Sequence, residues 1–434
     1  MESVAGAAQP RIQKPVLYYR GLLQQGAIVF AGSTILGICG FLFQMIASRR
    51  LGVETYGTFY TLLSMVIIAS VPGALFAPVV TRYCAEFRAL HDETHVRGLM
   101  ADLARWTVYA ALAYIALSFV LAAPVAAYLR IPAWTVPAAG AIAAIALGSG
   151  MLRAIAQGTQ AFTTFALSAA SEGFAKVIAL AAFVSLGLGL AGGLAGYAAG
   201  AIFGFLMVAW LLMRRYAPVG RARVHYDWRR IALSTSGAAS ITLAMALMGT
   251  VDVILVKHFF DAHAAGLYAA AALAGKVLMF LVGFVPIVLL PRVTDHHARG
   301  ERTRDALMLS IAILAGIALM GGIGLQCCGS QFLRLLVGRS FDAAAPLLLP
   351  YALAMVALGL TNVFAYYGIA THRLWFAVPL VSGAVLTLAA IAAIHPSLMS
   401  VVQILLAGNA LTSLAVVAAM LMQRRHERME PAKC

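Results

Sequence analysis

Residues Arg49–Met65 read RRLGVETYGTFYTLLSM, and residues Lys257–Gly275 read KHFFDAHAAGLYAAAALAG. Each stretch ends one long apolar run and opens another, with a glycine shortly followed by a tyrosine at the junction. Gly57 and Gly266 lie 209 residues apart, close to half of a 434-residue chain. Pro78 follows the first glycine by 21 residues and Pro286 follows the second by 20, and Arg82 and Arg292 then close the two runs. A duplicated six-span unit explains this agreement. An even number of spans leaves both copies in the same orientation, so the expected symmetry is a pseudo-twofold along the membrane normal with a cavity between two lobes.

Composition requires a membrane. The chain is 62% hydrophobic and 11% charged, against about 25% charged residues in soluble domains, and no soluble core could bury so much apolar side chain. Lipid offers the backbone no hydrogen-bond partner, so only helices or closed barrels cross it, and these unbroken runs lack the alternation of barrel strands. The fold class is an all-α integral membrane protein. Breaks at charged and Pro/Gly-rich points give about twelve spans, near 24–48, 55–81, 103–128, 133–156, 159–187, 190–213, 232–257, 262–290, 305–327, 343–368, 373–394 and 399–422. Each meets the roughly 20 residues a bilayer needs. The first run is too long for a signal-peptide core and is taken as a retained span. The organisation is an N-terminal lobe over 1–213, an Arg-rich linker over 214–231, a C-terminal lobe over 232–423 and a tail over 424–434. Cys39, Cys84, Cys327, Cys328 and Cys434 show no framework spacing, so no disulfide is expected.

Orientation follows from the basic residues. Arg11, Lys14 and Arg20 precede span one; Arg82, Arg88, Arg97 and Arg105 surround the second loop. Arg214, Arg215, Arg221, Arg223, Arg229 and Arg230 fill the linker, and Arg424, Arg425 and Arg428 the tail. Arg49, Arg50, Arg130, Lys257, Arg334 and Arg339 fall on the other side. The positive-inside bias therefore places both termini in the cytoplasm. The net charge of +15 is mostly topology. Dispersal over short loops argues against a nucleic-acid partner, while the linker is either a plain topology determinant or also a contact for anionic lipid headgroups.

Lys176 and Lys276 stand apart, near the middle of spans five and eight. A lysine at the bilayer centre costs roughly 2.5 to 3.5 kcal/mol on insertion scales, so such residues face a polar cavity or a partner. Glu172 precedes Lys176 by one helical turn, which suits either a structural ion pair or a gating and proton-coupling role. Lys276 has no acid one turn away, leaving substrate contact or a cross-lobe partner such as Glu172 or Asp252. Asp252 is placed toward the outer end of span seven near Lys257, as an interfacial pair or a coupling-ion site.

Three segments carry a family resemblance: SRRLGVETYGTFY with VTRYCAEFRA, VDVILVKHFFDAHAAGLYAAA with PIVLLPRV, and LVGRSFDAAAPLLLPYALAM with YYGIATHR. In this order they resemble the polysaccharide transport branch, the Wzx-type O-antigen flippases, of the multidrug/oligosaccharidyl-lipid/polysaccharide exporter superfamily. That resemblance covers most of the chain. It implies a two-lobe transporter in the bacterial inner membrane that flips an undecaprenyl-diphosphate-linked oligosaccharide to the periplasmic leaflet, for O-antigen, capsule or exopolysaccharide synthesis. H+ and Na+ are candidate coupling ions, and membrane lipid, a polymerase and other polysaccharide-assembly proteins candidate partners; the sequence does not choose between the ions or say whether the protein acts alone. A diphosphate is a concentrated anion, and one central lysine per lobe supplies countercharge that sugars alone would not require. Arg49 and Arg50 are candidates to receive the headgroup at the outer mouth, and Arg82 and Arg292 to recruit it at the inner leaflet, each against a plain anchoring role. Arg153, near the inner end of span four, is a further candidate.

Other features read as architecture. Gly192, Gly196, Gly200 and Gly204 share one helical face and admit a close neighbour. Pro72, Pro78 and Pro286 remove backbone donors and bend spans two and eight, with or without motion. Gln44, Asn362, Gln403 and Asn409 bond neighbouring helices or line the cavity. His91 with His95, and His296 with His297, lack a third ligand for a metal. No Walker loop, dinucleotide fingerprint or nucleophile elbow is present, so the chain is not expected to be an enzyme. The alternatives are a multidrug cation exporter, which wants acids in its cavity, and a membrane-embedded polysaccharide polymerase or ligase, which wants a large outer loop.

Overall fold

The computed structural model describes the backbone of residues 15–217, 219–225, 228–298, 304–370 and 376–429, and side chains within 26–217, 219–225, 229, 239–281, 308–368 and 376–422. Every one of the twelve apolar segments holds helix. The N-terminal lobe comprises α1 (Pro15–Leu51), α2 (Val53–Ala69), α3 (Val71–Ala89), α4 (Glu93–Val120), α5 (Ala122–Leu129), α6 (Thr135–Gly158), α7 (Phe162–Ser185) and α8 (Gly189–Tyr216). The C-terminal lobe comprises α9 (Trp228–Met248), α10 (Val251–Phe259), α11 (Ala262–Ala298), α12 (Arg304–Leu336), a 3-10 turn at Arg339–Ala344, α13 (Ala345–Ala370), α14 (Ala377–Ala393) and α15 (Leu398–Met429).

Among the described residues ten helical stretches are long and apolar enough to cross a membrane, rather than the twelve expected. The two remaining segments are also helical. The seventh span is broken: its part Ala239–Met248 meets α10 at a 41° bend, and the pair together makes an eleventh crossing. The eleventh apolar segment appears as α14, an apolar helix of 17 residues that begins just past the described boundary. Outward-facing apolar side chains on α4, such as Val108, Leu112, Phe119 and Val120, cost nothing where the solvent is lipid.

Span two also breaks. α2 ends at Ser70 and α3 restarts with Pro72 in its first turn, where a missing N–H is harmless. The glycine stripe behaves as expected: Gly196 lies on Leu180, and Gly200 and Gly204 lie on Lys176 and Glu172, seating α8 against α7. Two buried hydroxyls of α2 are satisfied by their own helix, as Thr61 donates to the Gly57 carbonyl at 2.9 Å and Ser64 to the Tyr60 carbonyl at 3.0 Å. Asn409 donates to the Ala354 carbonyl at 3.0 Å and so joins α15 to α13, whereas Gln403 is exposed. Cys39 and Cys84 are free and buried, and Cys327 and Cys328 free and exposed.

The duplicated motif meets itself across the lobe interface. A side chain on Gly57 would stand 2.6 Å from the Gly266 nitrogen, and one on Gly266 would collide with Val53. These two glycines let α2 and α11 cross at backbone contact near the ends where α1 and α10 finish. Tyr56 packs edge-on to Phe341 at 5.7 Å at the same level, Tyr128 stacks on His258 at 3.6 Å, and Arg49 donates to the Leu335 carbonyl. The linker is fastened to the N-terminal lobe along 219–225, where Ala222 N–H donates to the Thr94 carbonyl at 3.1 Å and Arg221 lies 3.5 Å from Asp102.

Candidate functional site

Between the lobes lies a cavity of about 270 Å³ whose walls come from α1, α2, α7, α8 and α11. Lys176 enters it from α7 and Lys276 from α11, so the structure brings the two mid-span lysines to one space. Gln44, Tyr60, Ser64 and Tyr197 supply its remaining polar atoms, and Phe41, Phe43 and Phe280 much of its apolar surface. Phe41 and Phe280 meet edge to face at 5.4 Å between α1 and α11, which makes them the bridge over the gap between the two lobes on that side.

Lys176 reaches its position because the adjoining face of α8 is bare: Gly200 lies against its Cβ. Its side chain is only 7% exposed and its ammonium sits over the Tyr197 ring, 5.7 Å from the centroid. The expected Glu172–Lys176 pair is long, with Nζ at 3.9 Å from Oε1. Glu172 is engaged elsewhere: Arg153 Nη2 donates to its Oε2 at 2.7 Å, while the Arg153 Nε donates to the Ser168 hydroxyl at 3.0 Å. Arg153, a candidate substrate contact from sequence, is thus the partner that restrains Glu172. Lys276 forms no ion pair among the described residues; its ammonium lies over the Tyr60 ring of the opposite lobe at 5.4 Å. A cation over a desolvated ring gains about 2 kcal/mol, well short of the several kcal/mol it costs to desolvate an ion.

Asp252 makes no ion pair with Lys257 among the described residues. It is fully buried, two residues into α10 just after the break in span seven, where a half-helix N-terminus favours negative charge. The Tyr268 and Tyr351 hydroxyls each donate to its Oδ2 at 2.9 Å, and its Oδ1 has no hydrogen-bond partner among the described residues. The Gly249–Thr250 interruption is what sets Asp252 in the first turn of a short helix.

The arginines spread away from the cavity. Arg49 and Arg50 line a separate hollow on the flank between α1 and α7. Arg82 is exposed and paired with Glu86 at 2.8 Å. Arg292 lies in α11 beyond the described side chains, as do Pro286, His296 and His297. His95 pairs with Asp92 at 2.6 Å, and no cluster of three metal-ligating side chains occurs among the described residues. Tyr60, Tyr197, Tyr268 and Tyr351 were missed as site residues, although Tyr60 belongs to the duplicated motif and Tyr197 sits inside the glycine stripe.

Residues 23–297 match the family model described as polysaccharide biosynthesis protein. No curated protein sequence matches the chain. Among solved structures the fold is similar to an inward-facing multidrug resistance MATE family transporter of the MOP superfamily, at TM-score 0.73 and 11% identity over 92% of this chain and 98% of that one. It is similar to the lipid II flippase MurJ in an inward closed conformation, at TM-score 0.66 and 12% identity over 92% and 87%. A MOP superfamily transporter from Pyrococcus furiosus, with a binding pocket of reverse polarity, aligns at TM-score 0.60 and 12% identity over 93% and 94%.

Proposed function

Since the chain belongs to the polysaccharide biosynthesis protein family and has the transporter fold of the MOP superfamily, we propose that it flips an undecaprenyl-diphosphate-linked oligosaccharide across the bacterial inner membrane by alternating access. The observation that carries this is the pair of under-compensated ammoniums, one from each lobe, on a single cavity. A diphosphate supplies what both lack, and the rings of Tyr60 and Tyr197 beside them offer flat apolar faces to the adjoining sugars. A lipid tail remains in the bilayer while its headgroup enters between α1 and α11, past Phe41 and Phe280. With both termini cytoplasmic, outward movement of an anion is downhill by about 2.3 kcal/mol per charge per 100 mV, so the membrane potential assists export.

Coupling falls to Asp252 on this reading. A buried carboxylate at a helix break, with one unpartnered oxygen and two tyrosine donors, suits H+ or Na+. Glu172 acts as the gate on Lys176, restrained by Arg153. Organic cations would meet two like charges in the cavity, which weighs against multidrug export. The test is reconstitution into vesicles with a fluorescent undecaprenyl-diphosphate disaccharide and a quencher outside. Flipping that depends on the protein, accelerates with membrane potential and fails for uncharged lipid-linked sugar supports the proposal. Equal rates for charged and uncharged lipids overturn it.

A further inference from the structure

The flank hollow between α1 and α7 is separate from the central cavity and has a volume of about 390 Å³. Arg49 and Arg50 form its polar end, and Leu42, Met45, Ile46 and Val184 its apolar walls. We propose that it is a binding site for a resident anionic phospholipid, whose phosphate lies between the two guanidiniums and whose acyl chain descends along α1 and α7.

The polarity gradient has the sense that a lipid has. Arg49 and Arg50 occupy the last turn of α1, at the membrane boundary, and the apolar walls lie one and two turns deeper. Arg49 is also held in place before any ligand arrives. Its stem passes close to Gly338, where a Cβ would stand 3.6 Å from the arginine Cγ, and one terminal nitrogen donates to the Leu335 carbonyl in the last turn of α12. A guanidinium carries five N–H donors, so this bond leaves others for phosphate oxygens. Ordering entropy that a free arginine would lose on binding has already been spent. No acidic side chain lines the hollow, so the phosphate meets no competing carboxylate. Because Arg49 spans from one lobe to the other, a lipid seated there also braces the closed end of the molecule.

The site is independent of what the central cavity transports. The test is native mass spectrometry of the full chain released from vesicles of equal phosphatidylglycerol and phosphatidylcholine. Phosphatidylglycerol is expected to be retained preferentially. The preference should fall about fivefold in Arg50→Gln and about thirtyfold in Arg49→Gln/Arg50→Gln, as each arginine near a surface contributes roughly 1 kcal/mol toward an anionic lipid. Arg49→Lys/Arg50→Lys should keep most of it, which separates lost charge from lost fold. Arg334→Gln removes a cation from the last turn of α12, where Asp342 already pairs with it, and should change nothing. Undiminished retention in the double glutamine variant overturns the proposal, as does an equal loss from Arg334→Gln. Preferential retention of added undecaprenyl diphosphate over phosphatidylglycerol at this site overturns it too, since the occupant would then be substrate rather than resident lipid.

Discussion

Arg153 does not line the cavity, yet its replacement should weaken anion binding there. In Arg153→Gln the Glu172 carboxylate loses its 2.7 Å partner, and the nearest remaining cation is Lys176, 3.9 Å away on the same helix. At an effective dielectric constant near 20, that attraction is about 4 kcal/mol at the present separation and about 6 kcal/mol at a contact of roughly 2.8 Å. Closing the gap therefore commits about 1.6 kcal/mol more of the Lys176 charge to Glu172, which corresponds to about fifteenfold weaker binding of a diphosphate. Binding of undecaprenyl diphosphate to the protein in nanodiscs reads the effect directly, with thermal unfolding measured alongside. The double variant Arg153→Gln/Glu172→Gln removes the competing carboxylate and should restore binding to the original level or above. A general loss of structure would not be rescued in this way. Affinity within twofold of the original in the single variant, or no recovery in the double one, refutes the idea that Arg153 keeps Lys176 available.

Lys276→Gln should lower flipping at least tenfold while leaving the unfolding temperature nearly unchanged, because no ion pair is broken; Tyr60→Phe should flip normally, Tyr60→Leu should not, and equal rates for those two would remove the role of the ring. Gly57→Val forces a side chain into the Gly266 backbone and should cost about 1 to 3 kcal/mol by overpacking, seen as a lower unfolding midpoint; an unchanged midpoint would show that the lobes do not close there. Asp252→Asn keeps an acceptor for Tyr268 and Tyr351, so the fold should survive while flipping loses its dependence on proton or sodium gradients; a gradient dependence that persists excludes Asp252 as the coupling group. Asp92 caps α4, and hydrogen bonds from the Thr94 hydroxyl and the His95 amide hold its carboxyl below the usual carboxylate range. Its folded value lies below its unfolded one, so its contribution is present at neutral pH and lost as pH falls through the lowered value; Asp92→Asn should flatten that acid limb of the stability profile.

The architecture was legible because lipid makes it so. Apolar length sets each span, and the Gly57 and Gly266 motifs, spaced by half the chain, announced a duplication that the structure places face to face. The two lysines stood out for the same reason, since a mid-span cation is expensive enough to be rare. What sequence could not supply is the rotation of one helix against another. Arg153 and Glu172 lie on different helices 19 residues apart, and nothing in their spacing shows that they meet while Glu172 and Lys176, one turn apart, stand at 3.9 Å. The two tyrosines that meet Asp252 come from α11 and α13, 16 and 99 residues away, and nothing in that spacing shows that either reaches it. Arg49 and Arg50 line the hollow beside α7 and not the central cavity, and a charge at a helix end carries no indication of which neighbour it faces.

The repeated glycine motif is not matched by a repeated set of charges. Counting 209 residues back from Lys276 reaches Ile67, which lines the same cavity from α2; the same step from Asp252 reaches Phe43, buried in the core. Tyr60 corresponds to Ala269. A symmetric frame gives two related arrangements of the lobes, and hence two openings, but a symmetric charge set would put like charges opposite each other. Here the two cations come from non-equivalent helices, α7 and α11, with α2 contributing Ile67 and the Tyr60 face between them. The lysines thereby flank a shared space, and Asp252 lies outside its lining. Movement of the lobes, as proposed, would change how Lys276 meets Tyr60, because that contact crosses the interface, and would leave Lys176 over Tyr197 intact, because that one does not. If the proposed alternating access holds, the two lysines divide the work: Lys176 keeps a constant place in its lobe, and Lys276 is the cation whose surroundings depend on which way the molecule is open.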